Sequence, residues 1–276
     1  MPDTAPSPGK WGDLGTRIAS AVVMLAVTIG ALWAGGLVWA ALVVIVAVLM
    51  GWELAPLCEP GVDRVRRAVL ALAFAVPLVL YVPVSYSVDA GNAPGMLGLV
   101  SRIVILLPPL LGGALLREAR MIWAGYSLMV VLGALFFLAM GLSPWGGFWL
   151  VFVVTTVIIS DTLGYFTGRL IGGAKFWPRV SPKKTWSGTV AGWIGAAVFG
   201  AVMGSGAPLL GPVLGAIAAA LIAFAGQMGD IAESAIKRRV GVKDASNIIP
   251  GHGGFMDRLD AMIAAGAVTL LGLWLF

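Results

Sequence analysis

The sequence predicts an all-α polytopic membrane protein of about nine transmembrane helices, with the N-terminus cytoplasmic and the C-terminus on the opposite side. Three observations carry this reading. Hydrophobic residues make up 59% of the 276 and charged residues 11%, with a mean hydropathy of +0.97, whereas a soluble domain carries about a quarter charged residues. Apolar runs near the ~20 residues needed to cross a bilayer recur at 18–35, 37–56, 68–86, 97–116, 121–142, 147–166, 186–204, 208–226 and 260–276. The segments between them alternate in charge.

The opening MPDTAPSPGKWGDLGTR reads as a polar tail over 1–17. A basic tail before an apolar run can be a signal peptide. Here the run from Ile18 continues for about twenty residues and a second span follows at once, so the first span is read as uncleaved. Five spans then fill 18–142, and 143–276 forms a C-terminal region with two long polar loops, 167–185 and 227–259. Gly35-Gly36, SVDAGNAPG, SPWGG and GSGA carry no Lys or Arg. The alternate connections hold Lys10 and Arg17; Arg64, Arg66 and Arg67; Arg117 and Arg120; Arg169 through Lys184; and Lys237 through Arg258. Of 18 Lys and Arg residues only Arg102 lies outside that set. The positive-inside rule makes the basic side cytoplasmic. The net charge of +5 is thereby explained without a nucleic-acid partner. A single cysteine, Cys58, excludes an intrachain disulfide and a cysteine metal cluster.

Charges within apolar spans point to function, and Glu53, Arg102, Asp161 and Asp230 are such charges. On a helix, Asp161, Tyr165, Gly168 and Arg169 share a face. That face serves either a ligand or an Asp161–Arg169 pair that holds helices together. In GAKFWPRVSPKKTWSGT, Ser181-Pro182 can open a turn, and Lys183 and Lys184 precede the next span. Two lysines there mark a cytoplasmic helix end or an anion site beside helix-start N–H groups. If helix continues past Gly229 in AGQMGDIAESAIKRRVGVKD, then Gln227, Asp230, Ser234, Lys237 and Arg238 fall within an arc of about 100°.

Lys243-Asp244 follow, and then PGHGGFMDRLD, residues 250–260. Asp257 and Asp260 face one way if the last helix begins near Met256. Carboxylates without cysteine and with one histidine suit a hard cation, Mg²⁺ above all. Gly253 and Gly254 can offer backbone N–H groups to a ligand. His252 reads as a structural hydrogen-bonder or as a catalyst. Carboxylates, cations and glycines at a membrane surface imply a magnesium-dependent phosphate reaction between a soluble reactant and a lipid.

Ser234, Lys237-Arg238, Lys243-Asp244 and Pro250-Gly-His252-Gly253-Gly254-Phe-Met-Asp257-Arg258-Leu-Asp260 together resemble the signature of the phosphatidate cytidylyltransferases (CDP-diacylglycerol synthases). Ser160-Asp161 with Tyr165 and Gly168, Ser181 to Trp186, and Gln227 to Asp230 are similar too. The resemblance covers about the last 120 residues, while the first 140 match only as membrane spans. One departure is Ser187 before Gly188, where the family pattern has an acidic residue. The resemblance implies CTP plus phosphatidic acid giving CDP-diacylglycerol and pyrophosphate, a homodimer, and residence in the cytoplasmic (inner) membrane with the site facing the cytoplasm. It implies Mg²⁺ on Asp230 and Asp257, with Asp260 and Asp161 in support. Lys237, Arg238, Lys243, Arg258, Lys183 and Lys184 would neutralise phosphates, and Ser234, Asp244 and His252 complete the expected catalytic set. Tyr165, Ser181, Gly253 and Gly254 are expected to contact substrate. A lipid phosphate monoester is already an anionic nucleophile near pH 7, its second pKa being about 6, so no strong general base is required. An anionic-lipid transporter would explain Asp161 and Glu53 but not the dense 250–260 loop, and a cytidylyltransferase for another phosphorylated lipid fits equally. The Asp-Gly-x-x-Ala-Arg string of the CDP-alcohol phosphotransferases does not occur.

Overall fold

The computed structural model describes residues 10–89, 91, 95–207 and 210–275. Among them, nine helical segments are long and apolar enough to cross a membrane. The predicted 1–17 tail lies outside the described residues up to position 9; from Lys10 the chain is helix, α1 (Lys10–Ala34). Gly35 and Gly36 both take positive φ, which glycine alone adopts without strain, and so α2 (Gly36–Cys58) can begin at once.

Two of the predicted spans are broken helices. The third is α3 (Arg64–Leu72) and α4 (Ala75–Asp89); the fourth is α5 (Gly95–Val104) and α6 (Leu107–Leu115). Pro77 cannot donate to the Ala73 carbonyl and would collide with it, and Pro108-Pro109 do the same to Val104 and Ile105. Hydropathy does not register such breaks, because the broken segments stay apolar.

α7 (Arg120–Leu142) and α8 (Gly147–Leu170) follow. A small antiparallel hairpin comes next, β1 (Lys175–Trp177) and β2 (Ser181–Thr185). It is the one departure from all-α architecture among the described residues. Ser181-Pro182 therefore lie in a strand, and the turn falls at residues 178–180. α9 (Trp186–Ser205), α10 (Gly211–Arg239) and α11 (Met256–Leu275) complete the chain. α10 has 29 residues, about 44 Å at 1.5 Å per residue, and outruns a hydrocarbon core of about 30 Å. The predicted 227–259 loop thus begins as helix through Arg239.

The core centres on α7, whose Trp123, Phe136 and Leu138 are fully buried beside Met50 and Leu54 of α2, Phe74 and Phe152. Around the C-terminal helices, packing is backbone to backbone. A methyl group on Gly188 would strike the Gly164 carbonyl of α8, and one on Gly200 or Gly204 of α9 would strike the Gly215 or Gly211 carbonyl of α10. Small residues at such crossings allow close helix approach in lipid. α1, by contrast, leaves Ile18, Val22, Leu25, Ile29 and Trp33 exposed. Between α2 and α3, Glu59 accepts from the Arg117 N–H at 2.6 Å and from Arg66 at 3.0 Å. The Arg117 N–H first, then Arg66, holds its carboxyl below the ordinary range.

Candidate active site

α10 and α11 meet at Gly229, where a Cβ would lie 2.6 Å from the Asp260 carbonyl oxygen and 2.5 Å from the Ala264 methyl. This contact brings Asp260 against the polar face of α10. Oxygens of Asp230, Glu233 and Asp260 lie within 4.8 Å of one another. The Lys184 ammonium reaches from β2 to Asp230 at 2.5 Å and to the Gln227 carbonyl at 3.3 Å. Ser234 donates to Asp230 at 3.4 Å, a weak contact. Glu233 has a side chain 1% exposed, with one oxygen on Lys237 at 2.6 Å and the other, Oε1, without a hydrogen-bond partner. A buried carboxylate oxygen left unpaired is costly. Three carboxylates converging around it match the oxygen donor set of a divalent cation.

Asp257, predicted as a metal ligand, is employed differently. Its Oδ1 meets Lys237 at 2.6 Å, and its Oδ2 accepts the Ala245 N–H at 2.8 Å and the Gly254 N–H at 2.7 Å. Lys237 therefore bridges Glu233 and Asp257, and Asp257 folds the 240–255 loop onto α11. Of the predicted trio Asp230, Asp257 and Asp260, the first and third stand together; Glu233 occupies the third place. Gly254 likewise turns its N–H inward, so that donor is already used. Gly253, at φ +84°, pairs its carbonyl with the Ile249 N–H at 2.8 Å.

Glu53 completes this loop from more than 190 residues away in sequence. Fully buried in α2, it accepts from Ser246 Oγ at 2.6 Å, Phe255 N at 3.0 Å and Met256 N at 2.8 Å. A carboxylate on the first N–H groups of α11 caps it and complements its dipole. The fit excludes a side chain at Gly254, whose Cβ would lie 2.5–2.8 Å from the Glu53 carboxylate. Gly254→Ala is expected to lower stability by about 1–3 kcal/mol through overpacking, read by denaturant unfolding in detergent. An unchanged midpoint would mean the Glu53 contact is loose.

Two polar cavities are lined by the predicted cations. The first, about 590 Å³, is lined by Asp161, Tyr165, Arg169, Lys175, Lys183 and Lys184, and also by Gln227. Arg169 donates to the Tyr165 hydroxyl at 3.0 Å, so the Asp161–Arg169 pair does not form. Asp161 makes no hydrogen bond or ion pair among the described residues. Gln227 donates to Ser160 Oγ at 3.1 Å and so joins α10 to α8. Ser187, the departure from the family pattern, gives its hydroxyl to the Gly172 carbonyl and so tethers the hairpin.

The second cavity, about 440 Å³, is lined by Arg17, Lys243, Asp244, Asn247, His252 and Arg258. His252 Nδ1 lies 2.7 Å from Ser20 Oγ of α1, and its carbonyl accepts from Arg258 Nε and Nη2 at 2.9 and 2.7 Å. That arrangement fastens the loop to α1. Arg238 is exposed and donates to the Val242 carbonyl at 3.0 Å, closing the end of α10. Ser181 lines neither cavity.

The signal for Glu233 was present in the sequence as its i,i+4 spacing to Lys237. That pairing also describes an ordinary solvated helix face, and Glu233 falls about 40° outside the predicted arc. Glu53 stood out as a charge within a span, but no spacing rule links it to residues 246–256.

The chain matches the cytidylyltransferase family over residues 15–276. It is 31% identical over 260 residues to a phosphatidate cytidylyltransferase of Brucella abortus biovar 1 (strain 9-941), covering 94% of this chain and 93% of that one. A phosphatidate cytidylyltransferase of Helicobacter pylori (strain ATCC 700392 / 26695) is 38% identical over 145 residues, 52% of this chain and 54% of its own. The chloroplastic phosphatidate cytidylyltransferase 4 of Arabidopsis thaliana is 37% identical over 114 residues, 41% and 29% of the two chains. This integral membrane protein, with an acidic cluster and two cation-lined cavities, aligns along nearly its whole length and belongs to the cytidylyltransferase family.

Proposed function

We propose that this protein transfers the cytidylyl group of CTP to phosphatidic acid, giving CDP-diacylglycerol and pyrophosphate. It would act as a homodimer in the cytoplasmic (inner) membrane, with the site on the cytoplasmic face, as the alternation of basic loops implies. The observation that carries the reading is the Asp230–Glu233–Asp260 cluster, with Lys184 and Lys237 at its margins and a cation-lined cavity beside it. In the reaction, a lipid phosphate oxygen forms a bond to the α-phosphorus of CTP. The α–β phosphoanhydride bond breaks, and its electron pair leaves with pyrophosphate.

Asp230, Asp260 and Glu233 would hold Mg²⁺, which when bound neutralises phosphate charge and fixes the triphosphate for in-line attack. Lys183, Lys184, Lys175 and Arg169 lie where they can neutralise the remaining triphosphate charge from the first cavity. Lys243, Arg258 and Arg17 offer cations to a phosphate from the second. Lys237 sets the orientation of both Glu233 and Asp257, and Asp257 and Glu53 hold the loop. Alignment and charge neutralisation are the whole of the protein's task, because the nucleophile arrives already ionised.

The test is pyrophosphate release by protein purified in detergent. Release is expected only when CTP, phosphatidic acid and Mg²⁺ are all present, with none when diacylglycerol replaces the acid and none after chelation. Release with a different phosphorylated lipid, and not with phosphatidic acid, would reassign the acceptor. No release with any phosphorylated lipid from folded protein would overturn the reading in favour of lipid transport.

A further inference from the structure

Arg102 is the one cation that the basic loops do not account for, and the proposed reaction gives it no task. It lies in α5 seven residues from Gly95, about 10 Å along the helix, and makes no hydrogen bond or ion pair among the described residues. It borders a cavity of about 280 Å³ between α4, α5, α7 and α11, which Tyr81, Ser85, Leu135, Leu270 and Trp274 also line. This cavity is at the far end of the bundle from the acidic cluster. Along α11, Leu270 is ten residues beyond Asp260 of the cluster, about 15 Å. Exposed Trp33, Tyr86, Trp145 and Trp274 stand at the same end, at the termini of α1, α4 and α11 and between α7 and α8. Amphipathic aromatics of this kind mark the headgroup level.

An arginine at that depth stands at the edge of a low-dielectric layer and needs an anion. Among the described residues no carboxylate lines this cavity. The guanidinium fork matches phosphate geometry, Ser85 adds a hydroxyl, and the remaining wall of Leu135, Leu270 and Trp274 is apolar. We propose that this cavity binds an anionic phospholipid of the leaflet opposite the acidic cluster, its phosphate on Arg102 and a chain against the apolar wall. Nothing here rests on the assigned reaction, so the proposal stands or falls separately from it.

Delipidated protein in a neutral detergent would be melted with phosphatidylglycerol, with phosphatidylcholine or with glycerol phosphate, and retained lipid counted by native mass spectrometry. Phosphatidylglycerol is expected to raise the wild-type midpoint by several degrees and to remain bound. Arg102→Gln should lose both effects and Arg102→Lys only part of them. Ser85→Phe, which fills the cavity and keeps the charge, should lose both as well and serves if Arg102→Gln folds poorly. Pyrophosphate release in detergent should be unchanged in Arg102→Gln. Equal shifts in wild type and variants, or equal shifts with phosphatidylcholine, would overturn the proposal. A shift produced by glycerol phosphate alone would replace the lipid with a soluble anion and overturn the lipid assignment.

Discussion

Asp230→Asn is expected to lower pyrophosphate release by ~10²-fold or more while leaving the fold intact. The substitution keeps shape and removes one negative charge from the cluster proposed to hold Mg²⁺, a loss of the size seen when a transition-state charge partner is removed. The Asp230 side chain is 35% exposed and its partner Lys184 23%, so the broken ion pair should alter stability by no more than about 1 kcal/mol. Asp257→Asn makes the informative contrast. It disturbs Lys237 and two loop N–H groups at once, so its loss of activity should come with easier proteolysis between residues 240 and 255. Asp230→Asn should leave that cleavage unchanged. Should Asp230→Asn retain activity within tenfold of wild type, the metal assignment fails while family membership stands.

Lys237→Met should be the most destabilising of the substitutions considered, by about 3–5 kcal/mol, because removing one partner strands uncompensated buried charge. Here one ammonium serves two carboxylates, Glu233 and Asp257, both at 2.6 Å, with side chains only 1% and 4% exposed. Denaturant unfolding in detergent at pH 7 reads the loss. Adding Glu233→Gln to the same chain should recover part of it, a coupling that independent sites do not give. A Lys237→Met stability within about 1 kcal/mol of wild type would show that water reaches these carboxylates.

The spans were legible because length and hydropathy report directly on what crosses a bilayer. All nine recur in the structure, with soft ends. What the apolar runs hid was their interior. Pro77 and Pro108-Pro109 break the third and fourth spans, a local backbone effect that a sliding hydropathy window averages away. The hairpin was missed because KFWPRVSPKKT has no alternation to declare it; tertiary contacts hold it, among them the Phe176–Trp186 ring pair at 4.5 Å, the Lys184–Asp230 ion pair and the Ser187 tether.

At the site, helical periodicity sets out the α10 arc and one shared face for Asp257 and Asp260 on the condition that α10 runs past Gly229 and α11 begins near Met256, and both conditions hold in the structure. Periodicity is silent on which carboxylate turns inward. The exchange of Asp257 for Glu233 depends on where Lys237 can reach across two helices. The role of Glu53 depends on tertiary contacts spanning most of the chain, and residue spacing holds no trace of them.

The meeting of α10 and α11 at Gly229 has a mechanical consequence. Side chains between helices act as compliant spacers that can change rotamer; a backbone resting on a backbone has no such freedom. The gap between Asp230 and Asp260 is therefore set by the hardest contact available to a helix pair. Bilayers differ in thickness, and helices tilt and slide to match them. A pair locked in this way tilts as one rigid strut, and the separation of its two carboxylates does not follow the acyl composition of the membrane around it.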